Sequence, residues 1–217
     1  VNAPTRKVLV VDDNRLYREA IRRNLEFVDY DVLEAENLKT ALEEIRTRRP
    51  QVIVTDLDMT TRTEGLDLIR EVKVRYPLIP VILVSAVGTF EEGAQAQELG
   101  ATAVLSKSRI DEELEHLYAC LDEVFDQISM ISSLRGKVDR YLQDTSGQES
   151  PSKLEEEFNQ LMSSIKFDTS IKGELYDWLS QIKDRQLLFQ RNAAAEAAPA
   201  AAESAPEAGV MEAVEKK

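Results

Sequence analysis

The chain has 217 residues with 27 basic and 40 acidic side chains, a net charge of −13; that length suits one or two domains, and the sign argues against a nucleic-acid surface spread over the whole molecule. Hydrophobic residues at 43% and charged residues at 31% describe an ordinary globular chain. One cysteine (Cys120) excludes an intrachain disulfide, one histidine (His116) leaves little room for a multi-histidine metal site, and no apolar run approaches the ~18 residues of a membrane span, so membrane insertion is not expected and a cytoplasmic setting is.

Through the first 110 residues, two textures alternate. Short β-branched runs occur at Lys7–Val11, Asp31–Ala35, Gln51–Thr55, Pro80–Val84 and Thr102–Ser106. Between them lie segments with apolar residues at helical spacing: Tyr17, Ile21, Leu25 and Val28; then Leu38, Ala41, Leu42 and Ile45; then Leu68, Ile69 and Val72; and, less regularly, Phe90, Ala94 and Leu99. The first, third and fourth runs are almost wholly apolar, as parallel strands covered on both faces are. Strands and helices in strict alternation predict βαβ crossovers and an α/β fold: a flavodoxin-like, doubly wound, five-stranded parallel sheet of order 2-1-3-4-5.

After Asp111 the texture becomes helical. Leu114, Leu117, Leu121, Val124, Ile128 and Ile131 step by three and four, and Leu134, Val138 and Tyr141 extend the stripe with one stammer. This predicts a long helix over 111–143 that continues out of a first domain spanning 5–124. Asp144–Ser150 reads as a loop. Ser152 followed by Glu155 predicts a capping box, opening a helix with Leu154, Phe158, Leu161 and Ile165. Asp168, Thr169 or Ser170 can cap another with Ile171, Leu175, Trp178 and Ile182. The region 152–190 is thus a predicted helical hairpin, packed on 111–143 as a small bundle. Charged flanks such as Glu113, Glu115 and Asp122 also allow a coiled-coil homodimer through 111–143. The Ala/Glu/Pro-rich segment 193–217 reads as a disordered tail.

Ligands of doubly wound sheets sit at the carboxyl ends of the strands. Asp12 and Asp13 follow the first run, Asp56 the third, Ser85 the fourth, and Ser106-Lys107 the fifth. The predicted strand order sets the first and third strands side by side, so Asp12, Asp13 and Asp56 converge. Hard carboxylate oxygens that would otherwise repel suit Mg²⁺. Ser85 and Lys107 flank the spot, a hydroxyl donor and an ammonium for phosphoryl oxygens. Asp56, the central carboxylate, is the expected nucleophile of a phosphoryl transfer in which positioning and charge neutralisation do most of the work.

The segments VLVVDDN (Val8–Asn14), VIVTDLDM (Val52–Met59), VILVSA (Val81–Ala86) and AVLSK (Ala103–Lys107) together resemble the receiver domain of bacterial two-component response regulators. The resemblance implies transfer of a phosphoryl group to Asp56 from a sensor histidine kinase or phosphotransfer protein. It implies Mg²⁺ on Asp13, Asp56 and the backbone carbonyl of Asp58, with Asp12 acting through water, and Ser85 and Lys107 on the aspartyl phosphate. Turnover of an independent substrate is not expected. Thr60 stands where the family commonly has proline, and Ser108 where it has a proline in a cis bond, which before serine would cost ~3 kcal/mol. Val104 stands where an aromatic residue usually swings inward. Arg15, Arg18 and Arg22 on the first helix are candidates for docking a kinase.

Two other readings compete. VIVTDLDMT (Val52–Thr60) also resembles the first motif of haloacid-dehalogenase-type Mg²⁺ phosphatases, but that family places its acidic metal pair on a strand after the lysine, and only helical patterns follow Lys107. A DNA-binding output would need a positive helix face. Residues 144–217 hold eight basic and fourteen acidic side chains, and Lys166, Lys172, Lys183 and Arg185 are scattered. The expected output is therefore contact with a downstream protein of unknown identity, without nucleic acid. His116, between Glu115 and Leu117, reads as a solvated helical histidine rather than a phosphohistidine.

Overall fold

A computed structural model describes residues 6–86, 90–107, 110–144, 151–164 and 169–197. Its strands are β1 (Arg6–Val11), β2 (Tyr30–Ala35), β3 (Val52–Asp56), β4 (Val81–Ser85) and β5 (Ala103–Ser106). They pair in parallel in the order β2-β1-β3-β4-β5, the predicted doubly wound arrangement. The helices are α1 (Arg15–Phe27), α2 (Leu38–Arg48), α3 (Glu64–Arg75), α4 (Phe90–Glu98), α5 (Ile110–Gln143), α6 (Pro151–Ser164) and α7 (Thr169–Ala197).

Strand alternation sorts the apolar runs onto two faces. Val8, Val10, Val52, Val54, Ile82 and Val84 pack with Ile21 and Leu25 of α1 and Leu117, Leu121 and Val124 of α5. Leu9, Val11, Ile53, Val81 and Leu83 pack on the other face with α2 and α3, including Ala41, Ile45, Leu68, Ile69 and Val72. Side chains start the first two helices. Asn14 Oδ1 accepts from the amides of Leu16 and Tyr17 at 3.1 and 3.3 Å. Asn37 and Thr40 form a reciprocal capping box at α2.

The 34-residue α5 runs roughly 50 Å at ~1.5 Å per residue, through the stammer without a break. Its first half covers the sheet. Its second half packs Leu134, Val138 and Tyr141 against Leu154, Phe158 and Leu161 of α6 and Leu175, Trp178 and Ile182 of α7, and these residues belong to the same apolar cluster as the α1/α5 face of the sheet. Most of the stripe of the long helix is therefore buried inside the chain, with Ile128 and Ile131 partly covered.

Three local expectations change. Helix α6 begins at Pro151, so Ser152 lies inside the first turn instead of capping it; proline, with its fixed φ and no N–H, suits that first position. Helix α7 runs on to Ala197, into the segment expected to be tail, because alanine is the strongest helix former. Glu113, expected on a charged flank, is buried at 2% exposure. Ser108, the loop residues 145–150, Ile165, Asp168 and the tail from 198 onward lie outside the described residues. Among the described residues, no helix is long and apolar enough to cross a membrane.

Candidate functional site

Register brings the predicted residues together. Val11 pairs with Thr55 across β1 and β3, so Asp12 is level with Asp56. Asp56 pairs with Val84, so Ser85 lies one step beyond. Ser85 pairs with Ser106, and Lys107 follows. One carboxylate oxygen from each of Asp12, Asp13 and Asp56 lies within 4.8 Å of the others. Lys107 Nζ sits 2.6 Å from Asp12 Oδ2 and 2.8 Å from Asp56 Oδ2.

Backbone amides hold two of the three carboxylates in place. Asp12, 1% exposed, accepts the Asn14 amide on Oδ1 at 2.8 Å, and its carbonyl accepts from Arg18 Nη1 at 2.5 Å. Asp56 Oδ1 accepts the Leu57 amide at 2.8 Å. Ser85 is buried, and its carbonyl accepts the Lys107 amide at 2.7 Å. Asp13 and Asp58 are exposed, Asp58 in the loop after β3.

Burial holds the Asp56 carboxyl above the usual carboxylate range; Asp12 adds to this, and Lys107 only partly opposes it. Burial alone would lower the Lys107 ammonium, yet hydrogen bonds and charge from Asp12 and Asp56 raise it above its ordinary value. Lysine therefore stays charged. Three carboxylates against one ammonium leave two negative charges in surplus, which one divalent cation would balance. The hard, all-oxygen donor set fits Mg²⁺.

Several supporting residues carry no motif signal. Gly65 packs on the chain that bears Asp56: a Cβ there would lie 2.1 Å from the Asp56 carbonyl oxygen and 2.8 Å from Leu57 Cα. The Gly65 amide donates to the Leu57 carbonyl at 3.0 Å. Glu64, nearly buried, accepts the Leu38 amide at 2.8 Å and the Thr61 amide at 3.3 Å, which ties the loop after β3 to the start of α2. Tyr17 lies with its ring 4.3 Å from Lys107 Nζ, centroid to nitrogen, and its hydroxyl donates to Glu113 of α5. In the sequence, Tyr17 is one apolar position of a helical stripe and Glu113 one acid among several.

Other candidates fare differently. Arg18 Nε lies 3.8 Å from Glu34 and Arg22 Nε 3.0 Å from it, and Arg22 Nη1 also meets Glu26 at 2.9 Å. Of the three arginines considered for docking, Arg15 keeps its side chain mostly exposed, beside Glu19. His116 is exposed on α5. Val104 is half-buried and lines a cavity of about 190 Å³ with Leu57, Leu83, Ser85, Glu92 and Gly93, so a small side chain stands where an inward-swinging aromatic was the family expectation.

Fold and pocket together define the class: a doubly wound α/β domain with an acidic, lysine-capped pocket at the carboxyl edge of its sheet. The chain belongs to the response regulator receiver domain family, which it matches over residues 8–119, and this makes it a receiver of two-component phosphorelay signalling. It is 34% identical over 108 residues to the response regulator MprA of Mycolicibacterium vanbaalenii, covering 50% of this chain and 46% of that one. It is 33% identical over 135 residues to MprA of Mycobacterium ulcerans, 58% of each chain. The chain thus spans about half the length of the curated relatives it matches. Among solved structures, it is similar to the signal receiver domain of NarL from Mycobacterium tuberculosis, with TM-score 0.50 and 28% identity, covering 55% of this chain and 98% of that one. A receiver domain protein from Clostridium thermocellum shares the fold, with TM-score 0.52 at 24% identity over 58% of this chain and 98% of that one.

Proposed function

We propose that this protein accepts a phosphoryl group on Asp56 from the phosphohistidine of a sensor histidine kinase or phosphotransfer protein and signals through protein contacts of its C-terminal helices. The observation that carries the reading is the meeting of Asp12 and Asp56 on the Lys107 ammonium, with Ser85 one residue past the neighbouring strand pair. An Asp56 oxygen attacks phosphorus, the P–N bond breaks as the P–O bond forms, and the leaving imidazole keeps the electron pair and takes up a proton. Ser85 donates to one phosphoryl oxygen and Lys107 neutralises another. Asp13, Asp56 and the Asp58 carbonyl, with Asp12 through water, would hold Mg²⁺, which supplies further charge neutralisation.

The protein takes the phosphoryl group onto itself and later loses it, with no independent substrate expected. For the output, the buried stripes of α5, α6 and α7 support a bundle, and three of its cations are engaged within it, while Lys153, Lys183 and Arg191 are exposed. Lys137 pairs with Glu157, Arg135 lies over Trp178 and Arg185 over Tyr141. These pairings, with eight basic against fourteen acidic side chains over 144–217, favour a protein partner over DNA. The expected setting is the cytoplasm.

The test is labelling of the full chain by phosphoramidate with Mg²⁺. Asp56→Asn abolishes hydroxylamine-labile, Mg²⁺-dependent labelling while the circular dichroism spectrum stays that of the wild type. Labelling that persists in Asp56→Asn overturns the reading.

A further inference from the structure

Lys107 leaves the end of β5 on a flexible four-carbon stem, yet its ammonium has to meet a phosphoryl oxygen at a fixed place. Two of its three N–H bonds point at Asp12 and Asp56, 2.6 and 2.8 Å away. Those are the carboxylates whose charge balance changes when a cation and a phosphoryl group arrive, so they are poor fixed anchors. A third contact does not change in this way. The ring of Tyr17, from the first turn of α1, meets the ammonium with its centroid 4.3 Å from Nζ. The ring is set in turn by its hydroxyl, which donates to the Glu113 carboxylate in the first turn of α5.

Glu113 is 2% exposed. Burying a carboxylate whose one hydrogen-bond donor among the described residues is a hydroxyl is a costly arrangement, and an isosteric apolar side chain would pack the same space without that cost. Its position makes sense as the acceptor that fixes the pitch of Tyr17. Burial and the Glu113 carboxylate both hold the Tyr17 phenol above its ordinary value, so it remains a donor at all physiological pH.

We propose that Tyr17 and Glu113 are positioning residues for Lys107: the ring holds the ammonium over Asp56, and the hydroxyl–carboxylate bond holds the ring. The inference rests on Asp56 being the phosphoacceptor. A cation over an aromatic face contributes enough to change a rate by between about twofold and thirtyfold.

The experiment measures the rate of phosphoramidate labelling of the full chain at saturating donor, together with the Mg²⁺ concentration for half-maximal rate. In Tyr17→Leu the saturating rate falls about tenfold while the Mg²⁺ requirement stays within twofold. Tyr17→Phe, which keeps the ring and loses the hydroxyl, falls about threefold. Glu113→Ala falls by a similar factor, and Glu113→Gln, which still accepts the hydroxyl, recovers most of the rate. Equal saturating rates in the wild type and Tyr17→Leu overturn the proposal. So does a loss in Mg²⁺ affinity that accounts for the whole effect. If Tyr17→Leu does not fold, equal rates in Glu113→Ala and Glu113→Gln overturn it. Failure of the phosphoacceptor reading looks different: there, Asp56→Asn is labelled as the wild type is.

Discussion

The two halves of α5 face two different interiors. On the receiver side, the buried set includes charge: Asp12, Glu64 and Glu113 lie at or below 9% exposure, and Ser85 and Thr55 are buried too. Where the helix joins α6 and α7, the buried side chains are apolar or aromatic, from Leu134 and Tyr141 to Phe158 and Trp178, and Gln127 is the one buried polar residue of the described α5–α7 segment outside the receiver contact. Charges are costly to bury, and this chain buries them around the strand ends, where they meet a lysine, backbone amides and each other. The bundle is built for packing, and the receiver accepts a penalty to hold a reactive pocket. A groove of about 580 Å³ also runs between α5 and α6, lined by Met130, Leu134, Lys137, Glu157 and Leu161.

The contrast predicts separable losses. The largest effect is expected from Phe158→Ala, which empties a site 2% exposed beside Tyr176, whose ring centroid is 6.1 Å away. Such truncations cost about 3–5 kcal/mol. Denaturant unfolding followed by Trp178 fluorescence reads that loss, while Asp56 labelling stays within about twofold. A parallel collapse of labelling would show that the shared helix makes the two regions one cooperative unit.

Gly65→Ala strikes the other side. Its Cβ would meet backbone, which cannot rotate away, and overpacking of this kind costs about 1–3 kcal/mol. The larger consequence is a displaced Asp56, and misplacement of a reacting group by about 1 Å lowers rates roughly a hundredfold. Labelling should fall while the Trp178 unfolding signal keeps its wild-type midpoint. Unchanged labelling would mean that the loop after β3 does not set the nucleophile.

The smallest effect is a pH dependence. Burial raises the Glu113 carboxyl above its ordinary value, although Tyr17 and Lys107 oppose it. Folding therefore favours the protonated acid. The associated stability is fully present below the ordinary glutamate pKa of about 4.3 and is lost as pH rises through the higher folded value. Glu113→Gln, which carries no charge, should be more stable than the wild type at pH 7, with the difference shrinking toward pH 4. A difference that does not vary with pH would place Glu113 in a more polar setting than its burial indicates.

Much of this protein could be read from local pattern. The all-apolar runs at Val8–Val11, Val52–Val54 and Val81–Val84 specify strands buried on two faces, and parallel connectivity then delivers whatever follows them to one edge. That is why Asp12, Asp13, Asp56, Ser85 and Lys107 were legible as a group, each being the residue that comes just after a strand or closes one. The stripe from Leu114 to Tyr141 specified a long helix for the same reason, since periodicity is a property of neighbours in sequence. What neighbours cannot specify is which distant residue arrives. Glu113 has the composition of a solvated flank and becomes buried because Tyr17, 96 positions away, comes to rest against it. Gly65 is an unremarkable small residue until the Asp56 carbonyl is laid upon it. The stripe of α5 does not say what covers it, and in the fold α6 and α7 pack against its second half. Periodicity and strand ends are written along the chain; burial, charge pairing and the choice of partner are settled by contacts between residues that the chain keeps far apart.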